Sequence, residues 1–544
     1  MVFTKPLSLN RMQLHNSSSL CSTRFLSLVL LSLVFASCSR REFTFWSPDV
    51  IAPIAKGTLG IDDIVPDSLL YNDTNGVWHI WIERNLLNFD VDTLVDIPDT
   101  IIRNAFGLPI LGGPFYYPPG QHLFDIDQYN KLDLKGVLLR EAHLKRGTLN
   151  YRLKSTVNGS LKCIYTLQGV QRDGNPVVLE STTQPGDDAN PFIYEGSIDI
   201  SLCTFDLTGG VGQYNRIATN LDISVAPDAS DSAAIATGDS VIFELSFDDL
   251  ALTYARGYFG SRNEAINETA QLSGDFDMPD GIVDIDQVSI ALHIENPIGA
   301  DAILSIDEFS GTNFNGNTPV NLVHPPLYND LLLTRAIDQA GFVIPSNKYY
   351  FMSPANSNVD QFIENLPDEL RLRGNILINP LGDVSDANDF IYFDQLLKAN
   401  VVFDLPLNVG FNQLTLRDTL DVQPVENLPE VEGELRLVVD NYFPFEARAN
   451  LVLIASNGSS FTLLNDGNVQ PATLLADERS TQMRRSELLI PVNRNLLTLM
   501  QSEAKLAVSL SLTTDDTAVR RRIFEEYRMD VQVIGSGSIE VSAH

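Results

Sequence analysis

The chain has few bases, few cysteines, few histidines and no long apolar run, and each shortage removes a class of function. Lysine and arginine number 37 against 70 acidic residues, a formal net charge of −33 over 544 residues. Such a surface repels nucleic-acid phosphates and anionic lipid headgroups alike, so neither is an expected partner. No apolar stretch reaches the roughly 20 residues that a helix needs to cross a bilayer, so no transmembrane span is expected in the mature chain. Cysteines number four, and no Cys-x-x-Cys pair exists among them. The histidines beyond the N-terminal region (His79, His122, His143, His293, His324 and His544) are scattered, without metal-ligand or triad spacing. The motifs H-E-x-x-H, G-x-S-x-G and the P-loop are also absent. Together these shortages predict a protein that is not an enzyme and carries no cofactor.

What is present begins at residues 25–43, FLSLVLLSLVFASCSRREF. Phe25 to Ala36 is about a dozen apolar residues, preceded by Lys5, Arg11 and Arg24 with no acid, which is the layout of a secretory signal. The tripeptide Phe35-Ala36-Ser37 before Cys38 resembles the lipobox of bacterial lipoproteins. That resemblance implies cleavage before Cys38 and covalent palmitate-like acyl chains on it, each buried methylene contributing about 0.8 kcal/mol to membrane anchoring. Ser39-Arg40-Arg41 is basic where surface-exported lipoproteins are acidic by resemblance. The departure implies an outer-membrane protein facing the periplasm, with the cell surface as the alternative.

Beyond the leader, alternation of apolar and polar residues is plain in VWHIWIE (77–83), TLNYRLKS (148–155), SIALHIE (289–295), LRLRGNILI (370–378), ELRLVVD (434–440) and MDVQVIGSGSIEVS (529–542). This period of two predicts strands with one buried face. Asn75-Gly76 predicts a hairpin joining VWHIWIE to SLLY upstream. Helical candidates are short: NVDQFIENL (358–366), FDQLLKA (393–399) and VNRNLLTLMQSEA (492–504). The expected fold is all-β, tandem antiparallel β-sandwich-like domains with a few short connecting helices. The boundaries read as a signal peptide (1–37), a tether (38–56), a small N-terminal β unit (57–111), and β domains at 121–262, 275–428 and 430–544. GGPFYYPPG (112–120) is the break after the N-terminal unit.

An imperfect repeat runs through these domains. SIALHIENPIGADAILSI (289–306) and LRLRGNILINPLGD (370–383) each run a strand into Asn-Pro-[Ile/Leu]-Gly. ELRLVVDNYFPFEARANLVLI (434–454) and TLNYRLKSTVNGSLKCIYTL (148–167) repeat the layout with Asn441 and Pro444 and with Asn158-Gly159. An asparagine followed by proline or glycine ends one strand and launches the next. The layout resembles the late-embryogenesis type of β-sandwich, and RGYFG (256–260), ENPIGADA (295–302), FDLPLNVGFNQLTLRDTLDV (403–422) and VVDNYFPFEA (438–447) resemble segments of large uncharacterised Bacteroidota outer-membrane lipoproteins. Neither resemblance implies an activity.

Few residues stand out for chemistry. Cys163 and Cys203 lie in strand-like runs and, in an oxidising compartment, are a disulfide candidate, with two separately buried thiols as the alternative. DFDMPDGIVDIDQ (275–287) resembles a calcium loop, yet aligning Gly281 with the loop glycine puts Met278 and Phe276 where oxygen ligands belong. Asp275, Asp277, Asp280, Asp284 and Asp286 thus form only a weak calcium candidate. Tryptophans number three, Trp46, Trp78 and Trp81, with the last two on opposite faces of one strand. Three roles follow. The first is a scaffold or accessory subunit of an outer-membrane protein complex, held by the lipid. The second is a glycan-binding lipoprotein of a polysaccharide-uptake system, which needs exposed aromatic rings. The third is a lipid carrier, which needs an apolar groove.

Overall fold

A computed structural model describes residues 45–46, 49–95, 97, 100–107, 112–210, 213–272, 283–315, 318–339, 341–422, 433–476, 479, 481–493, 496, 499–500, 504–514, 519–538 and 541–542. The fold is all-β and antiparallel, as the period-two patterns require. In Ser289–Asn296 and Arg216–Val225 every second residue is buried. The inward side chains, such as Ile290, Leu292 and Ile294 or Ile217, Leu221 and Ile223, fill the spaces between sheets.

Three sandwiches share one strand order. In the first module, one sheet runs Thr100–Gly107, Ser240–Tyr258, Leu138–Ser155, Phe192–Asp199. Its facing sheet runs His122–Lys131, Arg216–Val225, Leu161–Arg172, Asn175–Thr182. The second module repeats this with Trp78–Phe89, Leu397–Pro406, Ser289–Asn296, Ser346–Met352. Opposite lie Arg262–Gln271, Glu369–Ile378 and Ala302–Asn313, the last flanked by Thr318–Asn321 and Leu331–Leu333. The third has Asp49–Leu59, Met529–Ser538, Gly433–Asn441, Arg484–Val492 facing Asn408–Asp421, Lys505–Thr513, Glu446–Ile454, Ser460–Val469. The repeat seen in the sequence is therefore a repeat of topology.

This order corrects the expected boundaries. The small N-terminal unit (57–111) does not exist as a unit, and the tether (38–56) overlaps a strand. Asp49–Leu59 completes the third module, Trp78–Phe89 the second and Thr100–Gly107 the first. Arg262–Gln271 opens the second module, and Asn408–Asp421, expected in the domain 275–428, belongs to the third. The reason is edge satisfaction: each sheet's open edge takes a strand distant in sequence, and no local pattern encodes that pairing. The expected hairpin is present, with Leu70, Tyr71 and Asn72 opposite Ile80, His79 and Trp78. Its turn is wider than the two-residue form, because the Asp73 carboxylate accepts the Asn75 and Val77 N–H groups. The helix expected at 358–366 spans Val359–Glu364. The one expected at 393–399 is instead the start of Leu397–Pro406, where Leu397, Ala399, Val401, Phe403 and Leu405 are buried in alternation. Of the third candidate, the described residues 496, 499 and 500 are helical.

The turn after the first strand of each module shows why asparagine recurs. Asn296 accepts the Ile298 N–H at 3.0 Å and donates to the carbonyls of Ala300 at 3.3 Å and Thr334 at 2.9 Å. Asn441 does the same with Phe443 N–H at 2.8 Å and with the Phe445 and Gln470 carbonyls at 3.0 Å each. Both are buried, so a single amide satisfies three backbone groups that water cannot reach. In the first module the equivalent position is Ser155, whose hydroxyl accepts only the Val157 N–H, while Asn158 is exposed. Asn379 of INPLGD lies elsewhere in the fold and bonds Asp389 instead.

The modules stack head to tail. Asp389–Tyr392, from the second module's chain, adds to Ser240–Tyr258 of the first. The Asn296 turn lies at this joint, where the Gly299 N–H donates to the Phe390 carbonyl. At the other joint, Leu397–Pro406 of the second module runs directly into Asn408–Asp421 of the third.

Candidate functional site

The residues singled out by sequence are dispersed. Cys21, Cys38, Asp275, Asp277 and Asp280 lie outside the described residues. Cys163 and Cys203 are both free and buried, which corrects the disulfide expectation. Cys163 lies opposite Ser181 and Ile223, whereas Thr204, next to Cys203, lies opposite Gln171. Cys163 and Gln171 sit on one strand, eight positions and about 26 Å apart, where a disulfide needs Cα atoms within about 7 Å. Burial pushes the Cys163 thiol up to about 12, an inert core thiol. Asp284 and Asp286 both face a guanidinium, Arg520, at 2.6 and 3.6 Å, so a fixed cation already serves the carboxylates offered to calcium. Among the described residues no cluster of metal-ligating side chains forms.

What the structure does bring together is a set of rings on the outer face of one sheet. Along Ser346–Met352, Tyr350 packs on the core, so Tyr349 and Phe351 point outward, 70% and 60% exposed. Along Trp78–Phe89, Trp78 packs on the core and Trp81 points outward at 43%, the opposite facing that strand alternation demanded. Tyr71 joins Trp81 edge-on, with ring centroids 6.1 Å apart. The strand of Tyr349 lies three strand positions, about 14 Å, from that of Trp81, and along the strands Phe351 is offset from Trp81 by two residues and Tyr349 by four. Between them the outward pairs are Ala291 with Val402, Ser289 with Asp404, His293 with Asn400 and Glu295 with Lys398, a mixture of small, polar and charged side chains. The rings stand on the two sides of this strip, staggered along it, and the strip between them is a shallow trough open to solvent.

Polar groups of the trough are held by one another. His293 stacks on Tyr349 at 4.3 Å with an interplanar angle of 2°, and its Nε2 lies 2.7 Å from Asn347 Oδ1. Asn85 donates to Asn400 Oδ1 at 2.8 Å. Tyr71 Oη donates to Asp404 at 2.9 Å, and His79 Nδ1 lies 2.7 Å from the same oxygen. Burial and the Asp404 carboxylate hold the Tyr71 phenol well above its ordinary range, so it remains a donor. Rings fixed in this way lose little side-chain entropy on meeting a ligand. The face can offer π surfaces, amides and carboxylates to a flat molecule bearing hydroxyls. Sequence reading weighed Trp81 but missed Tyr349, Phe351 and Tyr71. The signal was NKYYFM (347–352), whose alternation puts Tyr349 and Phe351 on one face, but only pairing through two intervening strands brings them onto the same sheet face as Trp81, Phe351 one outward position and Tyr349 two outward positions along from its row.

A concavity of about 560 Å³ on the first module is lined by Tyr151, Arg152, Glu195 and Glu244, among others, and two more lie at the joints between modules. At the joint of the second and third modules a cavity of about 80 Å³ is lined by apolar side chains alone, among them Ile61, Ile80, Ile363, Leu407 and Phe411. It is well below the roughly 300 Å³ at which ligand pockets begin, and too small for an acyl chain. At the joint of the first and second modules a cleft of about 720 Å³ is lined by Asp92, His143, Lys145, Arg146, Tyr392 and Asp394, among others. Behind it, Tyr254, Arg256 and Tyr392 converge on the Asp338 carboxylate at 3.1, 2.9 and 3.1 Å. That network ties the first module's long strands to the hairpin Ile337–Gln339 and Phe342–Ile344 of the second.

No family model matches the chain, and no curated protein does. Among solved structures it is similar to a Parabacteroides distasonis protein assigned as secreted, at 10% identity over 90% of this chain and 100% of that one, with a TM-score of 0.26. It is also similar to the infectious bursal virus T=1 particle, at 10% identity over 88% of this chain and 80% of that one, with a TM-score of 0.11. At such scores neither neighbour superimposes on this chain as a whole.

Proposed function

We propose that this is a lipid-tethered, extracytoplasmic binding protein of the outer membrane, without catalytic activity, whose ligand is a glycan strand lying in the trough of the second module. The observation that carries the proposal is the exposure of Tyr349 and Phe351 on one outer strand and of Trp81 and Tyr71 toward the other side of the same sheet face, staggered along it, with a lower strip that includes Ala291, Ser289, His293 and Asn400 between them. The C–H face of a pyranose is apolar and meets the negative face of an aromatic ring, while its hydroxyls need donors and acceptors at the ring edge. A protein-docking face differs, since its core is contiguous and depleted in charge, whereas here Glu83, Glu295, Asp404 and Lys398 interrupt the rings. Three carboxylates against one ammonium, on a chain of net charge −33, favour neutral or amino-sugar polymers over uronates and sulfates.

The test is affinity electrophoresis and Trp fluorescence of the mature chain with linear glucans, N-acetylglucosamine oligomers and polygalacturonate. Retardation by a neutral or amino-sugar polymer, lost in Trp81→Ala/Tyr349→Ala, is the expected result; retardation by polygalacturonate alone, or by none, would overturn the proposal. A second role, as scaffold or accessory subunit of an outer-membrane complex, is favoured by the hairpin at Ile337–Ile344. Its outward residues Ile337, Phe342 and Ile344 are exposed while Asp338 anchors its inner face. Co-purification of a β-barrel protein that is lost in Phe342→Ser tests this role. A lipid carrier is not favoured, given the 80 Å³ of the apolar cavity.

A further inference from the structure

We infer that the protein stands on the membrane by its third module, the last in chain order, and holds the first module furthest away. This rests on the proposed acylation of Cys38 and adds the face that meets the bilayer. The chain from Cys38 to Phe45 spans at most about 25 Å and that from Cys38 to Asp49 at most about 40 Å when fully extended. Phe45 and Trp46 pair with Ser542 and Val541, and Asp49 pairs with Ser538, so the tether enters the structure on the third module.

The end at which it enters is fixed by strand direction. Asn408 follows directly from the second module, and the 14-residue strand Asn408–Asp421 runs away from it for about 45 Å. Its far end, Asp421, lies opposite Lys505, and Lys505 lies opposite Ile454. In the facing sheet Asp49, Ser538 and Glu434 belong to that same end, because Asn441 and Met529 pair at the end nearer the second module. The tether end is therefore the pole of the stack, with the turn Ala455–Ser459 beside it and Ile51 exposed on it.

Each asparagine turn points the other way, Asn441 toward the second module and Asn296 toward the first. The corresponding Ser155 turn caps the far pole, where Ala234 bridges Asn158 and the ribbon Phe115–Tyr117 pairs with Ala233–Ile235. Three modules of roughly one strand length each place the poles about 100 Å apart. The aromatic trough of the second module then stands clear of the headgroups, and the exposed rings of Phe115 and Tyr116 sit at the tip.

The experiment uses the full chain, expressed with its own leader and reconstituted into phosphatidylethanolamine–phosphatidylglycerol vesicles carrying a headgroup acceptor dye. A donor is attached at Ser456→Cys, in the turn at the tether pole, or at Ser230→Cys, in the loop at the other pole. The native thiols Cys163 and Cys203 are buried and do not compete. Strong quenching at 456 with little at 230, abolished for both in Cys38→Ala, is the expected result. Equal quenching at the two positions, or stronger quenching at 230, overturns the orientation while leaving acylation intact. Vesicle association that persists in Cys38→Ala, or is absent in the parent, overturns the acylation and the orientation with it.

Discussion

The first and second modules can be compared at one row of their equivalent sheets, three residues before Ser155 in Leu138–Ser155 and before Asn296 in Ser289–Asn296. In the first module that row reads Glu195, Arg152, Glu244, Arg103. Its charges alternate, with Arg152 3.2 Å from Glu195 and 3.4 Å from Glu244, and Arg103 3.0 Å from Glu244. In the second module it reads Tyr349, His293, Asn400, Asn85. The third carries Glu487, Val438, Gln532 and Lys56 there. The strand order is the same, so the difference lies in the side chains alone. A row of alternating charges pairs within itself across the strands. A row of rings and amides also has internal partners, His293 with Asn347 and Asn85 with Asn400, yet leaves the Tyr349 ring 70% exposed.

That contrast can be broken in several ways. The largest effect is expected in binding: Trp81→Ala with Tyr349→Ala should weaken a bound glycan by at least about tenfold per ring, about 1.4 kcal/mol each. Thermal stability should change little, because both rings are exposed. Arg152→Ala in the first module should leave that affinity unchanged. Titration calorimetry on the three variants decides between a dedicated face and a generic one.

Next in size is the asparagine turn. Asn296→Ala or Asn441→Ala leaves buried backbone groups unpaired and should cost about 2–3 kcal/mol, whereas Ser155→Ala, losing one bond, should cost about 1 kcal/mol or less. Urea unfolding followed by hydrogen exchange would assign each loss to its module. If all three cost the same, the amide's three bonds are not what stabilises the turn.

Smaller effects come from charge. The Arg485 guanidinium, donating to Asp440 at 2.7 Å from both Nε and Nη2, holds that carboxyl below its ordinary value. A folded-state value below the unfolded one contributes stability above the unfolded value, lost as pH falls through the folded one. The third module should therefore weaken below about pH 4, and Asp440→Asn should flatten that slope in a denaturation series. Asp360 has the opposite sign: burial raises it, Asp286 adds to that, and Arg520 only partly offsets them. Its ionisation opposes folding at neutral pH, so Asp360→Asn should raise the melting temperature slightly at pH 7 and not at pH 3.

Strand patterns, the hairpin at Asn75-Gly76, the helix near 358–366 and the opposite facing of Trp78 and Trp81 were legible because each depends on neighbours a few residues away. The threefold repeat was legible through Asn296 and Asn441, whose chemistry is local to the turn. It was obscured in the first module, where Asn158 imitates the motif and Ser155 performs the task. The disulfide was misjudged because two cysteines in neighbouring strands can still sit far apart along the pairing.

The sequence by itself determined the all-β class, the repeated turn and which side of each strand is buried, since these follow from period-two alternation and from side chains that bond their own backbone. Only the tertiary structure decided that residues 49–107 supply an edge strand to each of three modules, with Leu70–Asn72 added beside the second, and that Tyr349 and Phe351 share a sheet face with Trp81 across two other strands. Edge pairing joins segments hundreds of residues apart through backbone groups that every residue carries, so the partner of an edge strand is set by the geometry of the finished sheet.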